Sequence, residues 1–324
     1  MSDNEKNCSL DIKECHKTSI GGQAVMEGVM MRGPKEIATA VRKSSGEIVI
    51  DKMNVNETVR KHNLNKIPVV RGVVNFVASM VTGVKCLMFS ADQYDLEEDG
   101  YEMSKFEKWL DLKFGDKIKD ITIYFSVVIA IIFSVALFML LPHFLSSIVA
   151  VVIKNTVLLN TIEGLIKLAI FSVYIILISR MKDIQRVFEY HGAEHKSIAC
   201  YESGMELTVE NAKKCPRLHP RCGTSFLLIV MIVSIICYAC LPWENTGFVL
   251  RIFYRLLLLP VVAGLSYEIL KFAGKSNNKL VKVLTKPGLW LQKLTTREPD
   301  DSQIEVALVA LKEVLTDNKE DDKW

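Results

Sequence analysis

Ile121 to Leu141 reads ITIYFSVVIAIIFSVALFMLL, 21 residues without a charge or a proline. Wound as an α-helix, such a run is about 30 Å long, the thickness of a bilayer's hydrocarbon core. A helix satisfies its own backbone polar groups, so it can sit in lipid where water cannot help. The run predicts a membrane protein. The whole chain agrees: half of its 324 residues are hydrophobic, high for a chain that is 24% charged.

Three further spans follow at Ile162–Ser179, Ser225–Leu241 and Ile252–Phe272. The third is short and ends at Pro242, and the fourth carries Arg255, Pro260 and Glu268. The flanking charges alternate. Lysines crowd residues 105–119, only Lys154 lies between the first two spans, and Arg180, Lys182, Arg186 and Lys196 follow the second. Residues 242–247 carry no Lys or Arg, and lysines return from Lys271 onward. By the positive-inside rule, both termini and the loop between the second and third spans are cytoplasmic. The protein is expected to be multi-pass in the cytoplasmic (inner) membrane. Residues 67–91 are also long and apolar, but carry Arg71 and Lys85. If they crossed, every later loop would change side against the charge bias, so an interfacial or re-entrant helix is expected.

The fold class that results is a membrane α-helical bundle with a small cytoplasmic α+β portion. It has four transmembrane helices plus the interfacial or re-entrant one. Residues 1–19 are expected to be disordered and 20–66 β-rich, and 92–120 form an acidic then basic linker. The membrane domain is 121–272, with a His/Cys loop at 181–224. Residues 273–324 form a cytoplasmic C-terminal segment with an amphipathic helix. In the β-rich part, Ala38–Arg42 and Glu47–Ile50 flank Ser44-Ser45-Gly46, a hairpin pattern. Gly21, Gly22, Gly28 and Gly33 read as tight turns rather than an anion-binding nest, and Met26, Met30 and Met31 as packing. Near the C-terminus Ser302-Gln-Ile-Glu305 fits a capping box, followed by Leu308, Leu311 and Leu315 at helical spacing. The stretch from Asp317 is expected to fray. The N-terminus has no secretory signal and the eight cysteines no disulfide-like framework, so reduced thiols are expected. A net charge of +3 gives no reason to expect nucleic acid.

The chemistry is concentrated in the 181–224 loop. His191 and His195 are four residues apart, so on a helix both imidazoles share a face and can reach one cation. Glu194 sits beside them, and His-x-x-Glu-His resembles the inverted zinc-hydrolase motif. In that chemistry the metal makes hydroxide available near neutral pH and a carboxylate takes the proton. A third ligand is needed. His219 and Cys222, in the run Cys215-x3-His219-x2-Cys222, and Glu268, arriving from the fourth span, are the candidates. Zinc is the expected ion. Cys237 and Cys240 read as core packing rather than a redox pair. A second polar cluster falls within the spans: Glu163, Lys167, Arg251 and Arg255. Glu163 is expected to pair across helices with Arg251 or Arg255.

Gly21 to Gly33, His191 to Lys196, Leu218 to Thr224 and Arg297 to Asp301 together resemble the YqhQ-like family of bacterial membrane proteins, a domain of unknown function (number 1385). The resemblance runs from about Ile20 to Leu315. It implies a multi-pass inner-membrane protein of the kind labelled a predicted metal-dependent enzyme, without an assigned reaction. Three functions are therefore carried forward. The first is a metal-dependent hydrolase at the cytoplasmic membrane interface, with Glu194 as base and His191, His195, His219, Cys222 and Glu268 as candidate ligands. The second is a non-catalytic scaffold or biogenesis factor with a structural zinc and a cytoplasmic or membrane protein partner. The third is a transporter. The lipid bilayer is a partner in each.

Overall fold

The computed structural model describes residues 16–55, 67–93, 118–219, 221–239, 241, 248–275, 279–316, 318 and 320–323. The first fifteen residues, most of the expected linker, the third-to-fourth connection and Cys240 lie outside these. Four strands come first: β1 (Gly21–Val25), β2 (Gly28–Arg32), β3 (Glu36–Arg42) and β4 (Ile48–Asn54). They form an antiparallel meander in sequence order, with Gly22 opposite Met31 and Val41 opposite Val49. The hairpin read from Ala38–Arg42 and Glu47–Ile50 is β3–β4, and Gly46 makes its turn at φ 87°.

Helices follow: α1 (Val70–Gln93), α2 (Ile118–Val135), a π turn (Ala136–Leu140), α3 (Leu141–Val149) and α4 (Thr156–Ile178). Next are α5 (Lys182–Glu202), α6 (Val209–Lys214) and α7 (Gly223–Ala239). Last come α8 (Phe248–Lys275), α9 (Lys279–Thr295) and α10 (Asp301–Lys312). Among the described residues four stretches are long and apolar enough to cross a membrane: Val70–Gln93, Phe125–Val149, Thr156–Ile178 and Leu250–Ala273. Gly223–Ala239 is apolar but shorter. The protein is thus of the multi-pass membrane class.

The boundaries differ from the sequence reading at Pro142. A proline lacks the N–H for the i−4 bond and crowds that carbonyl. The helix absorbs this by widening into the π turn just before Pro142 and continues to Val149. His143 and Ser146, expected in a loop, are therefore helical. α4 also starts six residues before Ile162, so Glu163 lies two turns inside it.

The chain forms two compact units. The first comprises Met1–Tyr94, Ile175–Val233 and Leu256–Trp324. Its centre is the sheet, which is apolar on both faces because successive side chains alternate. Val29, Met31, Ala38 and Ala40 pack on Tyr190, Ala193 and Ile198 of α5 and on Ile304, Ala307, Leu308 and Leu311 of α10. Val25, Met30, Ile37 and Val41 pack on Cys86 of α1. α10 is held at its start by a capping box, two residues earlier than the sequence pattern suggested. Asp300 accepts from the Gln303 N–H, and the Gln303 side chain accepts from the Asp300 N–H. Either pair fits the motif, but only Asp300 has extended backbone. The tail does not simply fray: Asp322 is buried and accepts from Tyr201.

The second unit comprises Asp95–Tyr174 and Ser234–Arg255. Gly164 admits Ile235 at close range, and the Asn160 amide donates to the carbonyls of Ala239 and Leu241 at 3.2 and 2.8 Å. These contacts satisfy the carbonyls at the end of α7, which in lipid would otherwise be orphaned.

Candidate metal centre

α5 is polar by composition, yet residues 192–198 are all buried. The sheet covers one side of the helix and α10 another, which explains the burial. Its start carries Asp183, favourable at the positive end of the helix dipole. Gly192 does not break it. A Cβ there would run into the Arg297 carbonyl, so glycine lets the 295–300 segment cross the helix closely. That crossing is fixed by the Arg297 N–H, which donates to the Phe188 carbonyl at 2.8 Å.

His191 and His195 share a face, with ring centroids 4.5 Å apart. His191 Nδ1 is 2.8 Å from the Thr295 carbonyl, and His195 Nδ1 bonds the Arg217 carbonyl. A carbonyl only accepts, so each Nδ1 carries the proton and each Nε2 presents a lone pair. Both Nε2 atoms point to one spot. Cys222 supplies the third donor there, its Sγ 3.2 Å from His191 Nε2. The three ligand atoms lie within 4.8 Å of one another, a group that could hold a metal ion. Carbonyls that fix the far nitrogen of each imidazole are the usual outer support of metal-binding histidines.

Cys222 is delivered by the loop before α7, and Gln292 of α9 holds that loop. Its Oε1 accepts from the His219 N–H at 2.9 Å, while its Nε2 donates to the His219 carbonyl and to Ser225 Oγ. Gln292 is fully buried.

Glu194 completes the inner wall. Its Oε2 is 3.8 Å from His191 Nε2 and 3.6 Å from His195 Nε2. That oxygen is buried and has no hydrogen-bond partner among the described residues. An unpartnered buried carboxylate oxygen is costly unless a cation or water completes it, so the donor set fits a metal. Burial pushes Glu194 up to about 7, against the opposing pull of His191 and the Gly22 N–H. A cation would reverse that push. Gly22 of β1 lies directly against this side chain: a Cβ there would come within 2.7 Å of Glu194 Cγ. A cavity of about 100 Å³ adjoins the group, walled by Gly22, Glu194, His195, His219, Arg221 and Cys222. It has room for several waters.

The other candidate residues are placed elsewhere. His219 lines the cavity, but its Nε2 turns to Glu202 at 3.3 Å, beside Arg221. Burial pulls the His219 pKa below its ordinary value despite Glu202. Burial works to raise Glu202, but His219 and Arg221 outweigh it and hold that carboxyl below the usual range. Cys215 is buried beside Cys200, its Sγ bonded to the Asn211 carbonyl. Glu268 pairs with Arg71, whose Nε lies 2.7 Å from Oε1, and the structure does not bring it to the histidines. In the second unit Glu163 is paired by Arg255, with the Nη2–Oε2 distance 2.9 Å. Ser146 and His143 face the same carboxylate, and Lys167 lies 6.0 Å over the Tyr238 ring. Arg251, one turn before Arg255, is only partly buried.

The sequence reading missed Thr295, Arg217, Gln292 and Gly22. Two of them act through backbone carbonyls, which carry no side-chain signature. Gln292 carried a faint one, a single amide on the buried side of an otherwise amphipathic helix.

A family model described as "Protein of unknown function (DUF1385)" matches residues 67–317. The chain belongs to this family. A relative from Bacillus subtilis (strain 168), "Uncharacterized protein YqhQ", is 38% identical over 300 residues. The match covers 91% of this chain and 92% of the relative. Neither description names an activity, so the expected enzyme label gains nothing from the family. No solved structure matches.

Proposed function

We propose that this DUF1385 protein is a metal-dependent hydrolase working at the cytoplasmic face of the membrane. His191, His195 and Cys222 are its ligands and Glu194 its general base. One observation carries the reading: the unpartnered Oε2 of Glu194 faces both histidine Nε2 atoms at the edge of a cavity. Two imidazoles and a thiol form a borderline-soft donor set, which suits zinc. A divalent cation there would supply Lewis acidity toward water and a substrate oxygen. Three protein ligands leave a position open toward the cavity. Glu194 takes a proton from water standing in that cavity and returns it to the leaving group. The Gly22 N–H steadies its carboxylate. Glu202 fixes His219 and Arg221 along the wall, where they orient a polar substrate group.

A second reading rests on the same distances. Glu194 Oε2, within 4 Å of both Nε2 atoms, could itself fill the fourth position. A closed site of that kind would be structural, and the protein a scaffold. X-ray absorption on the zinc-loaded full chain separates the two when wild type is compared with Glu194→Gln. The hydrolase reading expects two nitrogens, one sulfur and one exchangeable oxygen, unchanged by E194Q. It also expects zinc-dependent turnover of ester, phosphoester or peptide reporters in mixed micelles, lowered about 10²–10⁴-fold in E194Q. Loss of a protein oxygen from the first shell in E194Q, with no turnover in wild type, would establish the structural reading instead.

A further inference from the structure

α1 meets the length and composition of a membrane span, but the contacts around it constrain what it can do. The sheet precedes α1 in the chain, and α5 follows α4. They share one core: Val29 and Met31 pack with Tyr190 and Ala193, and Arg186 of α5 pairs with Glu27 of the β1–β2 turn. Elements in one water-facing core lie on one side of the bilayer. An even number of crossings must therefore separate the sheet from α5. Among the described residues three apolar stretches lie between them: α1, the α2–α3 stretch and α4. If all three crossed, the count would be odd and the core would be split across the membrane.

α1 is the least apolar of the long stretches and the one backed by the sheet. Its protein-facing residues recur at helical spacing. Gly72 lies against Tyr267 and Gly264, Asn75 bonds Tyr267, Ser79 bonds Arg32, Gly83 lies against Gln23, and Cys86 enters the sheet core. The contacts at residues 72–75 are with α8, and those with the sheet run from residue 79 to residue 86, about 10 Å of helix. The opposite face is exposed and apolar: Val77, Met80, Val81, Val84, Leu87 and Met88, each at least 39% exposed. At its first turn Arg71 pairs with Glu268 of α8, a candidate span, so this face is continuous with the membrane surface.

We propose that α1 lies in the plane of the membrane surface, its Val77–Met88 face in lipid and its Gly72–Cys86 face on the sheet and α8. The α2–α3 stretch and α4 then make the two crossings before α5. The same count runs from α5 to α10, which also share a core, so α7 crosses with α8 despite its shorter length. β1 lies between α1 and the metal group: Gly22 faces Glu194 and Gln23 faces Gly83. If the hydrolase reading holds, a substrate embedded in the bilayer is the class this placement serves. The depth and sidedness of α1 report its placement whether or not the metal site is catalytic.

A keto amino acid is introduced singly at Val77, Met80, Val84 and Met88 of the full chain and coupled to a nitroxide. Depth is then read by EPR in phosphatidylethanolamine–phosphatidylglycerol vesicles. An in-plane α1 places all four labels within a few ångströms of one depth, below the phosphates. A spanning α1 would change depth by about 16 Å from residue 77 to residue 88 and overturn the proposal. Labels freely accessible to aqueous nickel chelate would overturn it too. As a second reading, keto groups at Ile67 and Asp92 react with a membrane-impermeant hydrazide from one and the same side. Reaction from opposite sides contradicts the proposal even if the depth labels perturb the helix.

Discussion

Gly22 and Gly21 are neighbours on β1, and the two should respond oppositely to the same substitution. An alanine Cβ at Gly22 would stand 2.7 Å from the Met30 carbonyl oxygen and 2.7 Å from Glu194 Cγ. Ordinary contact begins near 3.4 Å, so both neighbours must give way by about 0.7 Å. The carbonyl belongs to the paired strand and cannot move without disturbing the ladder. Glu194 turns aside only by giving up its place against the two histidine Nε2 atoms. Overpacking of this kind costs about 1–3 kcal/mol. Replacing glycine restrains the unfolded chain and returns about 0.4–1 kcal/mol. The clash wins, and Gly22→Ala should lower stability by about 1–2 kcal/mol. Gly21→Ala meets nothing within 4 Å and should be neutral or slightly stabilising. Thermal melting in detergent, with both variants beside wild type, measures the difference. Gly22→Ala melting at or above the Gly21→Ala temperature would refute the close approach of β1 to Glu194.

Three other sets of variants probe separate parts of the structure. Glu163→Gln leaves Arg255 buried without its partner and should cost about 3–5 kcal/mol in denaturant titration, while Glu163→Met/Arg255→Met together should cost much less; additive losses would deny the pair. Gln292→Ala frees the loop that carries Cys222 and should weaken zinc affinity about 10–100-fold in a chelator competition, without touching a ligand. His219→Ala should keep bound metal because its imidazole belongs to Glu202, whereas His191→Ala should lose it; equal loss in elemental analysis would put His219 in the coordination sphere.

The apolar runs were legible because lipid imposes one rule, about twenty residues without charge, that composition alone reveals. Their ends were less so: the proline-free run stops at Leu141, and the π turn that lets the helix pass Pro142 is a local adjustment no pattern announces. The β3–β4 hairpin was legible in its Ser-Ser-Gly turn. α9 was not singled out within the C-terminal segment. In the site, the i,i+4 spacing of His191 and His195 stated their shared face directly. The third donor could not be chosen among His219, Cys222 and Glu268, because the choice depends on Gln292 and Arg71 from distant parts of the chain. A glycine inside a helix, such as Gly192, costs stability on its own. Its reason, the Arg297 carbonyl pressed against it, lies more than a hundred residues away.

The central claim is that His191, His195 and Cys222 hold a metal ion. Elemental analysis of the full chain, purified without chelator, tests it most directly alongside His191→Ala, His195→Ala and Cys222→Ala. The account predicts one divalent ion per wild-type chain, loss of that ion in each variant, and a lower melting temperature for wild type after chelation. Well under one ion per wild-type chain, with melting unchanged by chelator, would contradict it.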